Sequence, residues 1–193
     1  MKGEWCYFKE YFNADICEKI LNDGLKIPSK DAELGVGGTI RSDNDLRRSK
    51  IRFIQNTDPN FTWLFDDMWK MAIRANNDWF GFHITKLDYI QLAEYDASYG
   101  GEYKVHHDVF WINDDPHHHR KLTAVVQLTN PDDYEGGELE ICDHTVTNHP
   151  NPVEVSAQGT TIFFPSFLEH KANKVTKGKR YSLACWFDGP KWR

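Results

Sequence analysis

The sequence predicts a mainly β fold with flanking helices, because short apolar runs separated by turn residues fill its second half. The predicted strands lie at about 87–95, 103–110, 121–129, 137–142, 152–155, 160–164, 169–175 and 180–187. Many short strands of this kind are typical of a sandwich or a barrel, and the jelly roll is one such fold. Internal repeats, low-complexity tracts and linkers are absent from the sequence.

Two helices are predicted ahead of the strands. Asn13 can cap a helix that runs to about Lys26, and a second helix is expected from about Asn60 to Asn77. The second helix carries an apolar stripe at helical spacing, formed by Phe61, Leu64, Phe65, Met68 and Met71 or Ala72. Because such stripes usually belong to a core, we expect both helices to buttress the outside of the barrel.

Length and composition indicate one domain. The chain has 193 residues, of which 40% are hydrophobic, enough for one sizeable core and too few for two full domains. We therefore expect a single domain over 1–193, with N-terminal helical support at about 1–80 and a strand-rich core at about 85–190. No apolar run resembles a secretory signal or reaches the ~20 residues that span a bilayer. A soluble, cytoplasmic or intracellular protein without membrane contact is the expectation.

Charge and cysteine content narrow the function classes. The formal net charge is −6, which argues against direct binding of nucleic acid. The four cysteines lack a Cys-x-x-Cys spacing, which argues against zinc and redox sites, and nothing predicts a disulfide framework.

A candidate metal site is formed by His106, Asp108 and His170. On a strand, residues i and i+2 point to the same face, so His106 and Asp108 converge while His107 points away. His170 follows another apolar strand and turn. Two imidazoles and one carboxylate suit Fe(II) and leave open positions for a chelating co-substrate and O2. The alternative is a chance match, because the chain has nine histidines and most lone histidines are structural or solvated.

The last predicted strand carries a candidate anion site. Alternation puts Arg180, Ser182, Ala184 and Trp186 on one face. An arginine that points into a barrel needs a partner, and a ligand carboxylate fits its planar guanidinium, with Ser182 able to donate a further hydrogen bond. The alternative places Arg180 on the solvated face beside its lysine neighbours.

In order along the chain, these motifs resemble the prolyl 4-hydroxylase-like branch of the Fe(II)/2-oxoglutarate-dependent dioxygenases. The resemblance covers about half the chain, from Tyr95 to Phe187. It is carried by His106 and Asp108, Tyr134 to Leu139, Phe164 to Ser166 with His170, Gly178 to Ser182, and Trp186. As an ordered set they are far more specific than any one of them.

The resemblance implies a double-stranded β-helix, of the jelly-roll or cupin-like kind, as the catalytic core at about 85–190. It implies iron held by the three candidate ligands and 2-oxoglutarate held through Arg180 with Ser182. A tyrosine upstream of the first ligand faces the co-substrate in this family. Besides Arg180 and Ser182, the co-substrate pocket is expected to contain Gln127 and Trp186. The tyrosine is expected to be Tyr95 or Tyr103, and Tyr99 is left open. Some relatives have a tyrosine at the position of Gln127, so the role of that phenol is not carried over.

The implied reaction hydroxylates an unactivated C–H bond with O2 and releases succinate and CO2, with ascorbate as a candidate reductant. Related halogenases lack the carboxylate ligand, so Asp108 favours hydroxylation. The implied substrate is a prolyl residue of a protein or peptide, and the acidic charge suggests a basic partner. Two alternatives remain: a hydroxylase of a free amino acid or small metabolite, and a non-catalytic jelly-roll module that binds 2-oxoglutarate.

Two charged segments of the sequence each allow two interpretations. The cluster of Arg41, Arg47, Arg48 and Arg52 is either a solvated face or, by analogy with the family, part of a mobile loop that closes over a peptide substrate. The segment 114–120 contains three adjacent histidines, which either bind a metal or are solvated loop residues at the substrate entrance.

Overall fold

The computed structural model describes residues 2–32, 34–36, 39–41, 46–111 and 115–193, without the side chains of 34–36 and 39–41. The helices are α1 (Ala14–Gly24), α2 (Thr62–Ala75), which continues into a π-helical turn (Asn76–Phe80), and α3 (Pro152–Ser156). The strands are β1 (Cys6–Phe8), β2 (Lys30–Asp31), β3 (Leu34–Val36), β4 (Thr39–Arg41), β5 (Arg47–Arg48), β6 (Lys50–Gln55), β7 (Tyr89–Asp96), β8 (Glu102–His106), β9 (His118–Gln127), β10 (Tyr134–Gly136), β11 (Leu139–Ile141), β12 (Thr161–Pro165), β13 (His170–Ala172) and β14 (Val175–Pro190).

The strands form two main antiparallel sheets. In the described part of the chain, the major sheet has eight strands in the order β1-β12-β9-β14-β7-β6-β2, with β10 pairing with β14. The minor sheet has the order β11-β13-β8-β5. A cavity is lined by residues of both sheets, as in a jelly roll. The predicted mainly β fold is therefore confirmed.

Helices α1 and α2 pack on the major sheet, on the face opposite the cavity. The side chain of Asn13 accepts a hydrogen bond from the backbone N–H of Ile16 at 2.9 Å, so the predicted cap of α1 is present. The largest core cluster joins residues of α1 and α2 to those of β7, β9 and β14 that point away from the cavity, including Ile20, Met68, Leu92, Val126 and Leu183. This apolar layer is the expected buttress.

Strand register aligns the opposite faces of β7, β9 and β14 into rows along the cavity. Arg180 lies opposite Tyr95, Ser182 lies between Ala93 and Gln127, and Ala184 lies between Gln91 and Val125. Farther along β14, Trp186 lies opposite Thr123. Because side chains alternate along a strand, all of these residues except Gln127 line one wall of the cavity.

Several predicted boundaries are wrong. The strand expected at 152–155 is helix α3, since Pro152 occupies its first turn and the Asn151 side chain accepts from the N–H of Val153 at 3.0 Å. The strand expected at 137–142 is the shorter β11, and that expected at 169–175 is divided between β13 and the first residue of β14. Residues 1–80 also supply strands, because β1 and β6 join the major sheet.

The strand expected at 103–110 ends at His106. Beyond it, the N–H of Asp108 donates to the carbonyl of Ser166 at 2.8 Å, which turns the chain toward the cavity.

No described helix is long and apolar enough to cross a membrane.

Candidate metal centre and co-substrate pocket

A cavity of about 540 Å³ lies between the two sheets. The three candidate metal ligands lie on its minor-sheet side, and Arg180 lies on the wall formed by the major sheet. All of the residues that the sequence assigns to iron or 2-oxoglutarate line this cavity except Gln127. Gln127 instead accepts a hydrogen bond from Arg180, which does line the cavity.

The structure brings His106, Asp108 and His170 together. One ligand atom from each lies within 4.8 Å of the others, and no other group of this kind occurs in the described part of the chain. Nε2 of His106 is 3.8 Å from Oδ1 of Asp108, and Nε2 of His170 is 3.5 Å from Oδ2. In β13 and β8, His170 is the register partner of His106, so sheet pairing itself holds the two rings side by side.

Both imidazoles are oriented for metal binding. Nδ1 of His106 lies 2.8 Å from the carbonyl oxygen of Lys104, and Nδ1 of His170 lies 2.9 Å from that of Leu168. A carbonyl only accepts hydrogen bonds, so each Nδ1 carries the proton and Nε2 keeps its lone pair. Backbone orientation of a histidine in this way is common around protein metal sites.

Polar contacts fix the carboxylate of Asp108. Thr123 Oγ1 donates to its Oδ2 at 2.7 Å, and the Thr123 and Ser166 hydroxyls lie 2.9 Å apart. Burial raises the pKa of Asp108, but its electrostatic interactions with His170, His106 and Arg120 and the Thr123 hydrogen bond outweigh this and hold the pKa below its usual value. Burial and the neighbouring His170 lower the pKa of His106 to about 3. The carboxylate is therefore ionised and His106 neutral, as metal ligation requires.

Aromatic rings pack around the ligands. Tyr103 stacks on His106 with ring centres 3.4 Å apart and an angle of 12° between the planes, and Phe164 contacts His170 edge-on at 4.7 Å. Burial raises the pKa of Tyr103 to about 12, so its phenol stays protonated at neutral pH and can donate a hydrogen bond.

Arg180 is only 2% exposed. Its Nε and Nη2 donate to Oε1 of Gln127 at 3.1 and 2.8 Å, and its guanidinium lies 5.4 Å from the centre of the Tyr95 ring. None of the carboxylates in the described ranges lies within 4.0 Å of it. A buried cation with only a neutral partner is costly, so a carboxylate ligand would stabilise this site.

The turn between β10 and β11 leaves room for this arginine. Gly137 has a φ of 72°, and a Cβ there would lie 3.0 Å from Cδ of Arg180 and 2.8 Å from the Val175 side chain. A side chain at this position would therefore be strained and would press on Arg180. The glycines of the segment from Tyr134 to Leu139 thus have a role in shaping the anion site.

The other predicted site residues differ in their positions relative to the cavity. Tyr95 and Tyr103 line the cavity, whereas the Tyr99 hydroxyl donates to the backbone carbonyl of Glu94 at 3.0 Å. Ser182 is 4% exposed and lies next to Arg180 along the wall. Trp186 lies at the other end of the same row, level with Thr123, so its place is beside the metal ligands and not beside Arg180.

Of the four clustered arginines, Arg47 lies in the cavity. It is 6% exposed, donates to the Ser49 hydroxyl at 2.7 Å and lies 4.4 Å from the centre of the Tyr103 ring.

Arg48 and Arg52 do not line the cavity. Arg48 is paired with Glu102, and Arg52 is paired with Glu94 at 3.0 Å. The side chain of Arg41 lies outside the described residues. In the histidine-rich segment, position 114 is also outside the described residues, and His118 lies 3.2 Å from Asp115.

Sequence reasoning missed several polar residues of the cavity, among them Arg120, Tyr89 and Gln91. Alternation from Thr123 points Lys121 into the cavity, but the register between β14 and β9 shifts at Phe187 and Asp188. This irregularity brings Arg120 to the cavity face instead. For Tyr89 and Gln91 a signal existed, since both alternate with Tyr95 along the predicted strand at 87–95.

Comparison with known proteins identifies the class. The model of the 2OG-Fe(II) oxygenase superfamily matches residues 90–188, about half of the chain. The protein belongs to this superfamily, as the motifs predict.

Relatives and solved structures agree with this class. PKHD-type hydroxylases of Pseudomonas fluorescens (strain Pf0-1) and Psychrobacter sp. (strain PRwf-1) are 40% and 38% identical over 65 residues. That match covers 34% of this chain and 27% and 24% of theirs, so it spans about a quarter of the relatives' length.

The fold is that of prolyl 4-hydroxylases. A prolyl-4-hydroxylase of Pseudomonas putida superposes with a TM-score of 0.71 at 18% identity, covering 96% of this chain and 92% of that one. A prolyl hydroxylase of Trichoplax adhaerens, solved with a peptide fragment of hypoxia inducible factor, has a TM-score of 0.72 at 18% identity and covers 96% and 83%.

Proposed function

We propose that the protein is an Fe(II)- and 2-oxoglutarate-dependent hydroxylase. The observation that carries this proposal is one cavity that holds both a two-histidine, one-carboxylate cluster and a buried arginine with no described carboxylate partner. In this proposal His106, Asp108 and His170 hold the iron, and Arg180 holds the distal carboxylate of 2-oxoglutarate.

The donor set fits ferrous iron. Neutral Nε2 atoms and one ionised carboxylate oxygen on one side of an ion match its preference for mixed nitrogen and oxygen ligands. When bound, Fe(II) and 2-oxoglutarate supply the oxidation, in which one atom of O2 enters succinate as CO2 leaves and the other enters a substrate C–H bond.

The protein's own residues orient and isolate these groups. The backbone carbonyls of Lys104 and Leu168 keep both rings in the ligating tautomer, and Thr123 fixes the carboxylate. Asp108 and His170 are 6% and 4% exposed, so little water reaches that side of the centre. Exclusion of water prevents side reactions of an oxidising centre.

Arg180 binds the co-substrate in this proposal with help from three neighbours. Its two N–H donors that now meet Gln127 form a fork that matches a carboxylate. Ser182 and the phenol of Tyr95 lie in the same part of the wall and can donate to that carboxylate. The side chain oxygen of Gln127 accepts from the guanidinium and so positions it.

The proposed substrate is a prolyl residue of a protein or peptide. Support comes from the fold, because two prolyl hydroxylases superpose on this chain and one of them was solved with a peptide. The cavity also opens beside exposed apolar residues at its rim, Val105 and Phe110, which suits an extended chain more than a fully enclosed metabolite.

The decisive experiment is an anaerobic titration of metal-free protein with Fe(II) and then 2-oxoglutarate, followed by the weak visible charge-transfer band of the chelated keto acid. A band in the unchanged protein that weakens in Arg180→Ala supports the proposal, and Arg74→Gln serves as a control because Arg74 is exposed and outside the cavity. Absence of the band from protein with iron bound would refute it.

The prolyl assignment needs a second measurement. Incubation with O2, the co-substrate and proline-containing peptides should give a mass increase of one oxygen on a peptide, in proportion to succinate formed. Succinate without peptide oxidation across a broad peptide library, but with oxidation of a free amino acid, would shift the assignment to the small-molecule alternative.

A further inference from the structure

The cavity carries more positive charge than iron and 2-oxoglutarate require. Its lining includes Arg47, Arg120 and Arg180, and among the described residues its acidic members are Asp108 and the exposed Glu169. Under the proposed function, the charges of Fe(II), Asp108, Arg180 and the 2-oxoglutarate dianion cancel. Of the described lining residues, Arg47 and Arg120 then remain against Glu169, which leaves an excess of one positive charge.

Arg120 is held in place by aromatic groups. Its guanidinium lies 3.9 Å from the centre of the Trp186 ring and 5.1 Å from that of Phe110, and its Nη2 donates to the Tyr89 hydroxyl at 2.8 Å. Within the described ranges, no carboxylate lies within 4.0 Å of it to form an ion pair. A guanidinium has five N–H donors, so most of those on Arg120 remain for a ligand.

Arg120 lies next to the reaction centre. Arg120 and Asp108 both line the cavity. Trp186, the stacking partner of Arg120, is also the register partner of Thr123, the residue that binds Asp108. A group bound by Arg120 would therefore lie close to the C–H bond that is oxidised.

Gln91 is a second polar group without a partner. It is 4% exposed, lines the cavity from the middle of β7, and its side chain makes no hydrogen bond to any described residue. Because the Gln91 amide faces the cavity and carries both donors and an acceptor, a ligand in the cavity can form hydrogen bonds with it. Gln91 lies one position along the row from Tyr89, on the same face as the residue that holds Arg120.

We propose that the substrate carries a carboxylate close to its reacting carbon, and that Arg120 binds this carboxylate while Gln91 donates to the same part of the substrate. This inference rests on the proposed function and specifies its substrate class. The carboxylate belongs either to an acidic residue beside the target in a peptide or to the α-carboxyl group of a free amino acid. The protein as a whole has a charge of −6, which suggests a basic partner. Next to the reacting carbon, however, the cavity is proposed to bind a negatively charged group of the substrate.

The test measures binding to the full protein loaded with Fe(II) and 2-oxoglutarate without O2, by calorimetry. The probes are matched acids and amides: acetylated, amidated peptides with a central proline and Asp or Asn at each flanking position in turn, and L-proline against L-prolinamide. We expect at least a tenfold preference for one acid over its amide, about 1.4 kcal/mol. Preference within the peptides indicates a peptide substrate, and preference for proline alone indicates a free amino acid.

Variants assign that preference to Arg120. Arg120→Gln should reduce it to less than twofold, and Arg120→Lys should retain part of it because the charge remains. Arg74→Gln, which removes an exposed arginine stacked on Phe8, should keep the full preference. Acids and amides that bind equally within twofold, or no binding by any probe, would overturn the inference.

The charge-transfer band separates the two proposals. If the band forms and Arg120→Gln retains it while losing the acid preference, the proposed function and the inference on substrate charge are both supported. If the band forms and no acid preference exists, only the inference on substrate charge fails. If no band forms with iron bound, the proposed function fails and the inference fails with it.

Discussion

The two sides of the cavity are built in different ways. The candidate metal ligands lie where strands of the minor sheet end: His106 is the last residue of β8, His170 is the first of β13, and Asp108 lies two residues beyond a strand. Residues of the co-substrate wall occupy positions within β7, β9 and β14 of the major sheet, including Tyr95, Gln127, Arg180 and Ser182.

Different forces hold the two sides. The major sheet is backed by α1 and α2 through a continuous apolar core, so its wall is fixed by packing. On the metal side, hydrogen bonds of Asp108 to Ser166 and Thr123 and the carbonyl contacts of both rings fix the ligands. The metal side should therefore respond to loss of single polar groups, and the wall to changes of charge and shape.

The largest expected effect is loss of a metal ligand. Asp108→Ala or His170→Ala should abolish turnover, since bound metal supplies several kcal/mol of catalysis, on the order of a thousandfold or more in rate. Iron content after anaerobic loading and coupled formation of succinate measure it, with His144→Ala as a control because that ring is exposed and lies outside the cavity. Substantial coupled activity in either ligand variant would contradict the assignment.

The contrast also explains what the sequence could predict. Alternation placed Arg180, Ser182 and Trp186 on one face correctly, because β14 is regular over those positions. It predicted that His106 and Asp108 converge, but for a different reason: the strand stops at His106, and a turn bonded to Ser166 brings in Asp108. The predicted convergence of His106 and Asp108 was thus correct, but the predicted local structure at Asp108 was wrong.

Features set by distant parts of the chain could not be read from local patterns. The register shift between β14 and β9 brings Arg120 into the cavity in place of Lys121, and it depends on pairing between strands far apart in sequence. The predicted strand at 152–155 became α3 because of a cap and a proline, although its valines favour strand. Pairing and capping outweighed propensity in both places.

Second in size is the effect of removing the buried guanidinium. Arg180→Met should weaken 2-oxoglutarate binding about a hundredfold, because two hydrogen bonds to a charged group are lost at roughly 1.5 kcal/mol or more each. In the absence of the co-substrate, the same change should leave the free energy of unfolding unchanged or raise it, since a buried cation lacking a carboxylate is replaced by an apolar side chain.

Thermal unfolding with and without 2-oxoglutarate measures both parts of this prediction. Arg180→Lys is the matched variant, which keeps the charge and loses the fork, and we expect it to bind the co-substrate with intermediate affinity. A large loss of stability in Arg180→Met without any ligand would show that the residue is structural.

A smaller effect is expected for the hydroxyl that supports the carboxylate. Thr123→Val removes the 2.7 Å hydrogen bond to Asp108 with little change of shape, and loss of such supporting groups typically costs 10–100-fold in metal affinity. Competition with a chelator measures the iron affinity. Thr161→Val is the matched control, because Thr161 is equally buried and lies on the neighbouring strand β12, outside the cavity lining. Equal iron affinity of the two variants would show that Thr123 does not support metal binding.

The smallest expected effect is the acid sensitivity of the metal-free protein. Burial and the nearby His170 lower the pKa of His106 from 6.5 to about 3, so as pH falls below 6.5 the unfolded chain takes up this proton before the folded one does. Stability from this group is therefore complete above pH 6.5 and is lost progressively toward pH 3, with a slope of at most about 1.4 kcal/mol per pH unit. Between pH 7 and 5.5 the loss should be about 1 kcal/mol.

Urea unfolding of metal-free protein at the two pH values measures this loss, and His106→Gln should reduce it because the titrating ring is gone. His107→Gln, which removes the exposed neighbouring ring, should keep it. If both variants lose stability equally on acidification, the sensitivity arises elsewhere in the molecule. If only His106→Gln becomes insensitive, the acid-labile region is the metal side, where the neutral rings required for metal binding are buried at the expense of stability at low pH.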